Sequence, residues 1–376
     1  MFNFAQIFMI MKRLFIFLFL LCAIVVSSEA FTTLPLKGSV IKPTDSHLRY
    51  SGRISFKNPQ APSFTYPGVQ ISARFQGTSV KMITKPKSGY FMVKIDDAQP
   101  FKVSCVSEKD SVTTLAVALS EGEHDLKIVY AIEGYEFRPD FRGLILDEGC
   151  KLVDVKDVKS RNIEFIGNSI TCGYGNESMN AKDPFDYATE NHYYSYAAIT
   201  ARTLDANEMV IARSGIGVYR NYDGPKTGSD VNMRQQYEYT FYNDKSEKWD
   251  FNRCSPDVIC INLGTNDTST KNYDAKLFYQ AYKDFVRMVR SHNPKSKIVL
   301  LCGSMLNGEE LDFVKSTLND IAKEYNDAGD KDVYRFDFTP QTGELYYGAD
   351  YHPSIWQHEK MAAELVAYLR TLMRWF

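Results

Sequence analysis

From about His47 to Cys150 the hydrophobic residues alternate with polar ones. Val69, Ile71, Ala73 and Phe75 form one such run, Phe91, Val93 and Ile95 a second, and Leu126, Ile128, Tyr130 and Ile132 a third. A period of two puts successive side chains on opposite faces, so each run predicts a half-buried strand. Turn residues separate the runs, at Tyr66-Pro67-Gly68, Gln76-Gly77, Asp96-Asp97 and Glu121-Gly122-Glu123. Short strands at this spacing, with no helical period among them, predict a β-sandwich of about one hundred residues, a jelly roll.

The pattern changes after Val153–Ser160, a polar stretch rich in Lys and Asp. Compact apolar runs follow at Ile163–Ile166, Met209–Ala212, Val258–Leu263, Ile298–Cys302 and Val333–Phe338. Between them the apolar residues recur every three or four positions: Tyr194, Ala197, Ala198, Ala201 and Leu204; Phe278, Tyr282, Phe285, Met288 and Val289; Leu311, Val314, Leu318, Ile321 and Tyr325. A last amphipathic helix starts near Ser354. Buried strands alternating with helices predict a three-layer α/β/α domain on a parallel sheet. The expected organisation is a β-sandwich over 31–152, a linker over 153–160 and the α/β domain over 161–376.

The first thirty residues read differently again. A basic head, Met11-Lys12-Arg13, precedes the apolar run Leu14–Val26 and a small-x-small site, Ser28-Glu29-Ala30. This is the layout of a signal peptide over 1–30, so export to the periplasm or the medium is expected. A lipid anchor on Cys22 is the lesser option, because Leu21 before it is not small. No later run is long enough to predict a membrane span.

Charge adds mainly exclusions. With 44 basic and 46 acidic residues the chain is nearly neutral, which offers no electrostatic footprint for nucleic acid. Tyr and Phe number 24 each; their rings suit β cores and also surfaces that bind sugars. Six cysteines follow the leader: Cys105, Cys150, Cys172, Cys254, Cys260 and Cys302. They contain no C-x-x-C pair and no histidine at ligand spacing, so no metal site is expected. Cys260 and Cys302 sit in apolar strands as inert thiols, and disulfides among the others remain open in an exported protein.

In an open parallel sheet the reactive groups gather beyond the carboxyl ends of the strands. The first strand is followed there by Gly167-Asn168-Ser169-Ile170-Thr171 and a Gly-rich turn, the second by Arg213-Ser214-Gly215-Ile216-Gly217, and the third by Gly264-Thr265-Asn266-Asp267. Asp350-Tyr351-His352-Pro353-Ser354 precedes the last helix. A serine hydroxyl is a potential nucleophile, an asparagine amide can donate to an oxyanion, and an imidazole titrates near neutrality. Residue 171 is threonine, so Ser169 does not fit the G-x-S-x-G elbow. Asn266-Asp267-Thr268 and Asn176-Glu177-Ser178 also fit the glycosylation sequon.

Taken in order, these four segments resemble the sequence blocks of the SGNH (GDSL-type) hydrolases, with Ser169, Gly215, Asn266 and His352 as signature residues. The preceding sandwich, with Gly-Asn-Ser-Ile-Thr-Cys-Gly-Tyr-Gly and Asp-Tyr-His-Pro-Ser, resembles more narrowly the acetyl esterases of carbohydrate esterase family 2. The resemblance covers nearly the whole chain after the leader. It implies a serine esterase that removes O-acetyl groups from polysaccharides or oligosaccharides such as acetylxylan or acetylglucomannan, often at primary 6-O positions, without a cofactor. Ser169 would be the nucleophile and His352 the base, with Asp350 to orient it. Ser169, Gly215 and Asn266 would form the oxyanion hole, and Tyr351 would offer a ring to the sugar. Three departures matter: Asn168 stands where the consensus has Asp, Asp350 lies two residues before the histidine where three is usual, and Tyr351 stands where relatives often carry Trp. Members of this esterase family can also orient the histidine by a backbone carbonyl. The rival expectations are an esterase, lipase or thioesterase acting on non-carbohydrate esters, and a non-catalytic carbohydrate-binding protein.

Overall fold

The computed structural model describes residues 37–156 and 159–376. The signal peptide expected over 1–30, with its expected cleavage site and Cys22, lies outside the described residues, as do positions 157–158 of the polar connection.

Ten strands build the first half: β1 (Ser39–Ile41), β2 (Arg49–Ser51), β3 (Gln70–Gln76), β4 (Val80–Thr84), β5 (Gly89–Ile95), β6 (Phe101–Cys105), β7 (Val112–Ala116), β8 (Glu123–Tyr130), β9 (Phe141–Leu146) and β10 (Leu152–Val153). They pair antiparallel into two sheets, ordered β1-β9-β4-β7 and β10-β3-β8-β5-β6, with β2 also on β3. This is a jelly roll. The alternation supplies its filling: in β8, Leu126 and Ile128 are buried while Asp125 and Lys127 face solvent.

The second half holds a five-stranded parallel sheet, β11 (Arg161–Gly167), β12 (Ala206–Ala212), β15 (Val258–Asn262), β16 (Lys297–Cys302) and β17 (Val333–Asp337), in the order β12-β11-β15-β16-β17. Between β12 and β15 runs a small hairpin, β13 (Tyr239–Phe241) and β14 (Asp244–Lys248), which the sequence pattern did not predict. The central strands β15 and β16 are buried on both faces, so they read as nearly continuous apolar runs. Ile259 and Ile261 face a core shared with the helices Ala275–His292 and Gly308–Asp327, whereas Val258 and Cys260 face one shared with Tyr196–Thr203 and Ile355–Met373. Ser354 caps the last helix, accepting the Gln357 N–H at 3.2 Å. No helix among the described residues is long and apolar enough to cross a membrane.

Strand order reverses at β11: the chain moves from β11 outward to β12, then back across β11 to β15. That reversal opens a crevice at the carboxyl ends of β11 and β15, the place where folds of this kind bind ligands. Ser169 follows β11 and Asn266 follows β15.

The jelly roll and the α/β layer pack as one unit spanning Gly38–Phe376. Arg53, fully buried, lies 5.0 Å from the ring centre of Tyr237 and 5.4 Å from those of Trp249 and Phe251, and its guanidinium donates to the carbonyls of Tyr237 and Tyr239. Three aromatic rings and two carbonyls thus surround this buried guanidinium. The Tyr242 N–H donates to the Thr65 hydroxyl at 2.8 Å, and Arg253 donates to the Ile54 carbonyl at 2.8 Å. The six cysteines among the described residues are all free thiols.

Candidate active site

The segment Gly167–Thr171 turns the end of β11 into a single helical turn, Ser169–Cys172. Asn168 caps that turn: its side-chain oxygen accepts the Ile170 N–H at 3.1 Å, and its carbonyl accepts Thr171 and Cys172. An amide oxygen caps as a carboxylate does, which is why Asn can stand at this position. Gly167 is required by packing, since a Cβ there would lie 2.0 Å from the Thr171 hydroxyl. Ser169, the first residue of the turn, is nearly buried at 6% exposure.

Its hydroxyl lies 2.9 Å from Nε2 of His352. The other ring nitrogen, Nδ1, is 3.2 Å from the Ala349 carbonyl and 3.2 Å from the Asp350 carbonyl. With Nδ1–H donating to those oxygens, Nε2 carries the lone pair that can accept the serine proton. Burial lowers the His352 pKa from its ordinary value to about 4, against the upward pull of the two carbonyls. The imidazole is therefore neutral at neutral pH.

The carbonyls reach Nδ1 because Asp350 and Tyr351 both adopt left-handed backbone, with φ of 47° and 59°. That conformation is costly for a residue with a side chain and persists only where its surroundings over-determine it. Here the Asp350 and Tyr351 N–H groups donate to the carbonyls of Asp183 and Ala181, and the Gln341 amide donates to the Tyr351 carbonyl. The turn that Ser169 begins also approaches the His352 loop closely: the Ala349 N–H donates to the Gly175 carbonyl at 3.0 Å, and a Cβ on Gly175 would meet that of Ala349 at 2.4 Å.

The Asp350 carboxylate does not face the histidine. It accepts the Tyr174 hydroxyl at 2.6 Å, and the Tyr174 ring stacks on the imidazole with centroids 4.0 Å apart. Phe185 stacks on the far face of Tyr174 at 4.4 Å. The expected direct contact between Asp350 and His352 is thus replaced by a wedge, because the left-handed turn sends the main-chain carbonyls inward and leaves the side chain exposed.

The Asn266 amide donates one N–H to the Ile216 carbonyl at 2.8 Å, which ties it to the Gly215 turn and leaves the second N–H unused. Among the described residues, neither the Ser169 N–H nor the Gly215 N–H donates to a protein acceptor. Asp267 supports this arrangement. Its buried carboxylate accepts the N–H groups of Val218, Tyr219 and Arg220 at 3.1, 2.8 and 3.1 Å, and burial pushes its pKa up to about 6 against those donors. Arg220, itself buried, donates to the Ser269 carbonyl at 2.8 Å and binds the same two loops together.

Sequence reading did not single out Asp267, Arg220, Tyr174 or Tyr222. Tyr222 is 65% exposed, and its N–H is held by the Gly215 carbonyl at 2.8 Å. Tyr351 is 52% exposed on the histidine side. The sequons are ruled out by burial: Asn176 donates to the Asn191 carbonyl at 2.9 Å, and Asn266 is engaged as described. His192 and His358 are structural. His192 bridges the Thr171 carbonyl and the Glu208 carboxylate at 2.7 Å each, and His358 accepts the Tyr196 N–H at 3.2 Å.

Residues 165–359 match the GDSL-like lipase/acylhydrolase family profile, and residues 50–155 match the carbohydrate esterase 2 N-terminal profile. The chain belongs to the GDSL-like lipase/acylhydrolase family. Membership places it among carboxylic ester hydrolases, and its relatives are esterases of carbohydrate family 2. It is 36% identical over 328 residues to a cellulase/esterase CelE of Acetivibrio thermocellus, covering 87% of this chain and 40% of that longer protein. An acetylxylan esterase/glucomannan deacetylase of Cellvibrio japonicus is 28% identical, with 89% of this chain and 91% of the relative covered. The solved structure of a family two carbohydrate esterase from Clostridium thermocellum in complex with cellohexaose superposes with a TM-score of 0.81 at 36% identity, covering 88% of this chain and all of that one. Esterase activity is common to the names of these three relatives, and the Cellvibrio protein is named as a deacetylase of glucomannan.

Proposed function

We propose that this chain is a secreted acetyl esterase acting on O-acetylated polysaccharide or oligosaccharide, with acetylxylan and acetylglucomannan, including 6-O-acetyl groups, as the substrate class. The single observation that carries the reading is the 2.9 Å contact between Ser169 Oγ and His352 Nε2, set between the Gly215 and Asn266 segments. His352 takes the serine proton as Oγ attacks the acetyl carbonyl. The oxyanion then accepts from the Ser169 N–H, the Gly215 N–H and the free Asn266 N–H. Collapse of the tetrahedral intermediate breaks the C–O bond to the sugar, whose alkoxide takes the proton from His352, leaving acetyl-Ser169. Water attacks in the same way and releases acetate.

One feature favours a sugar ester over a lipid ester. Tyr222 and Tyr351 expose rings beside Gly215 and His352, where an aromatic face can lie on a pyranose.

Acetate release is the test, measured on acetylated xylan, acetylated glucomannan and 4-nitrophenyl esters of increasing chain length. Ser169→Ala should abolish release with the melting temperature unchanged. Wild-type turnover by that variant would refute the mechanism. A preference rising with acyl length would favour the lipid or thioester reading, and binding of polymer without turnover the non-catalytic one.

A further inference from the structure

A charged residue from the jelly roll reaches the catalytic turn. After β8 the chain continues through Ala131 and Ile132, both fully buried, to Glu133, which is 4% exposed. Its Oε2 accepts the Ser214 N–H at 2.7 Å, and the Cys172 thiol points to the same oxygen at 3.6 Å. Ser214 immediately precedes Gly215, and Cys172 ends the helical turn that Ser169 begins. One carboxylate oxygen thus touches both segments that would hold the oxyanion. The Glu133 N–H in turn donates to Glu190 at 3.2 Å.

We propose that Glu133 is a positioning residue for the oxyanion hole, so that the jelly roll completes the catalytic site instead of merely flanking it. The inference rests on the esterase reading above. A peptide plane whose N–H is held by a buried carboxylate cannot rotate, and the Ser214–Gly215 peptide that follows is what presents the Gly215 N–H to the substrate oxygen. Hydrogen bonds to an ionised acceptor are about twice as strong as neutral ones, which suits a carboxylate to this task. Burial raises the Glu133 pKa, while the Ser214 N–H and Arg213 oppose the rise. Glu190 beside it is pushed much higher, by burial first and by the Glu133 charge second.

The test uses Glu133→Ala and Glu133→Gln in the full chain, with kcat and KM on 4-nitrophenyl acetate, which is too small to report on sugar contacts. Loss of the acceptor in Glu133→Ala should lower kcat by about 10- to 100-fold, short of the loss for a direct oxyanion donor, with KM unchanged. Glu133→Gln keeps shape and acceptor but not charge, and should recover most of that loss, remaining about 3- to 10-fold below wild type. If the alanine variant does not fold, the glutamine variant decides alone. A kcat equal to wild type in Glu133→Gln, or a lowered melting temperature with kcat intact in Glu133→Ala, overturns the proposal. So does activity that a chelator abolishes and Zn²⁺ restores, since Glu133, Cys172 and Glu190 lie within 4.8 Å of one another and would then be metal ligands. Should Ser169→Ala retain activity, the esterase mechanism itself fails; should it lose activity while both Glu133 variants keep theirs, only the positioning role fails.

Discussion

Replacing Asp350 with asparagine separates two ways of holding a catalytic histidine. Where a carboxylate bonds Nδ1 directly, asparagine in its place stabilises the wrong tautomer and costs roughly 10⁴-fold in turnover. Here Nδ1 lies 3.2 Å from each of two main-chain carbonyls, which the substitution leaves in place. Asparagine tolerates the left-handed backbone at φ 47° and still offers an oxygen to the Tyr174 hydroxyl. What is lost is the charge on that 2.6 Å bond and its weak attraction for the imidazolium formed in the transition state. The group is exposed and solvent screens it, so the structure predicts a fall in kcat of only about 3- to 10-fold, with KM unchanged. Steady-state kinetics on 4-nitrophenyl acetate, beside a melting curve, measure this directly. A fall of about 1000-fold or more in a normally folded Asp350→Asn would refute the reasoning, because it would mean that the carboxylate turns onto Nδ1 in the working enzyme.

The low pKa of His352 sets the acid side of the pH profile. A group titrating at about 4 stays in its base form as pH falls from 7, so about nine-tenths is still active at pH 5, against about 3% for an unshifted imidazole. The acid limb of kcat/KM, followed by acetate release measured with NMR, should therefore lie near pH 4, and a limb at the ordinary histidine value would contradict it. Tyr351→Ala should weaken action on acetylated oligosaccharides about tenfold more than on 4-nitrophenyl acetate, because its exposed ring can serve only a substrate with a sugar face. Equal losses on both substrates, with earlier melting, would instead make Tyr351 a support for its loop.

Much of this architecture is local and was legible in the chain. Alternation at Val69–Phe75 and Leu126–Ile128 reports strands whose apolar side chains fill the sandwich, and the unbroken run Val258–Leu263 reports a strand covered on both sides. The strand-end position of Ser169, Asn266 and the loop of His352 follows from that order alone, since a parallel sheet must present its connecting segments at one edge. The side chains that aim these groups obey no such period. Glu133 ends an apolar run in the first half, and nothing in its neighbours shows that it meets Ser214, 81 positions away. Asp350 stands beside His352 in sequence, yet two left-handed residues turn its carboxylate to Tyr174 and its carbonyl to the ring. Hydrophobic periodicity is summed over many residues and survives any local detail, so the chain by itself determined the two layers, their order and the edge where chemistry gathers. Hydrogen-bond direction depends on single dihedral angles and on partners brought in from distant segments, so only the tertiary structure decided which atoms hold the histidine and which carboxylate meets the Ser214 N–H.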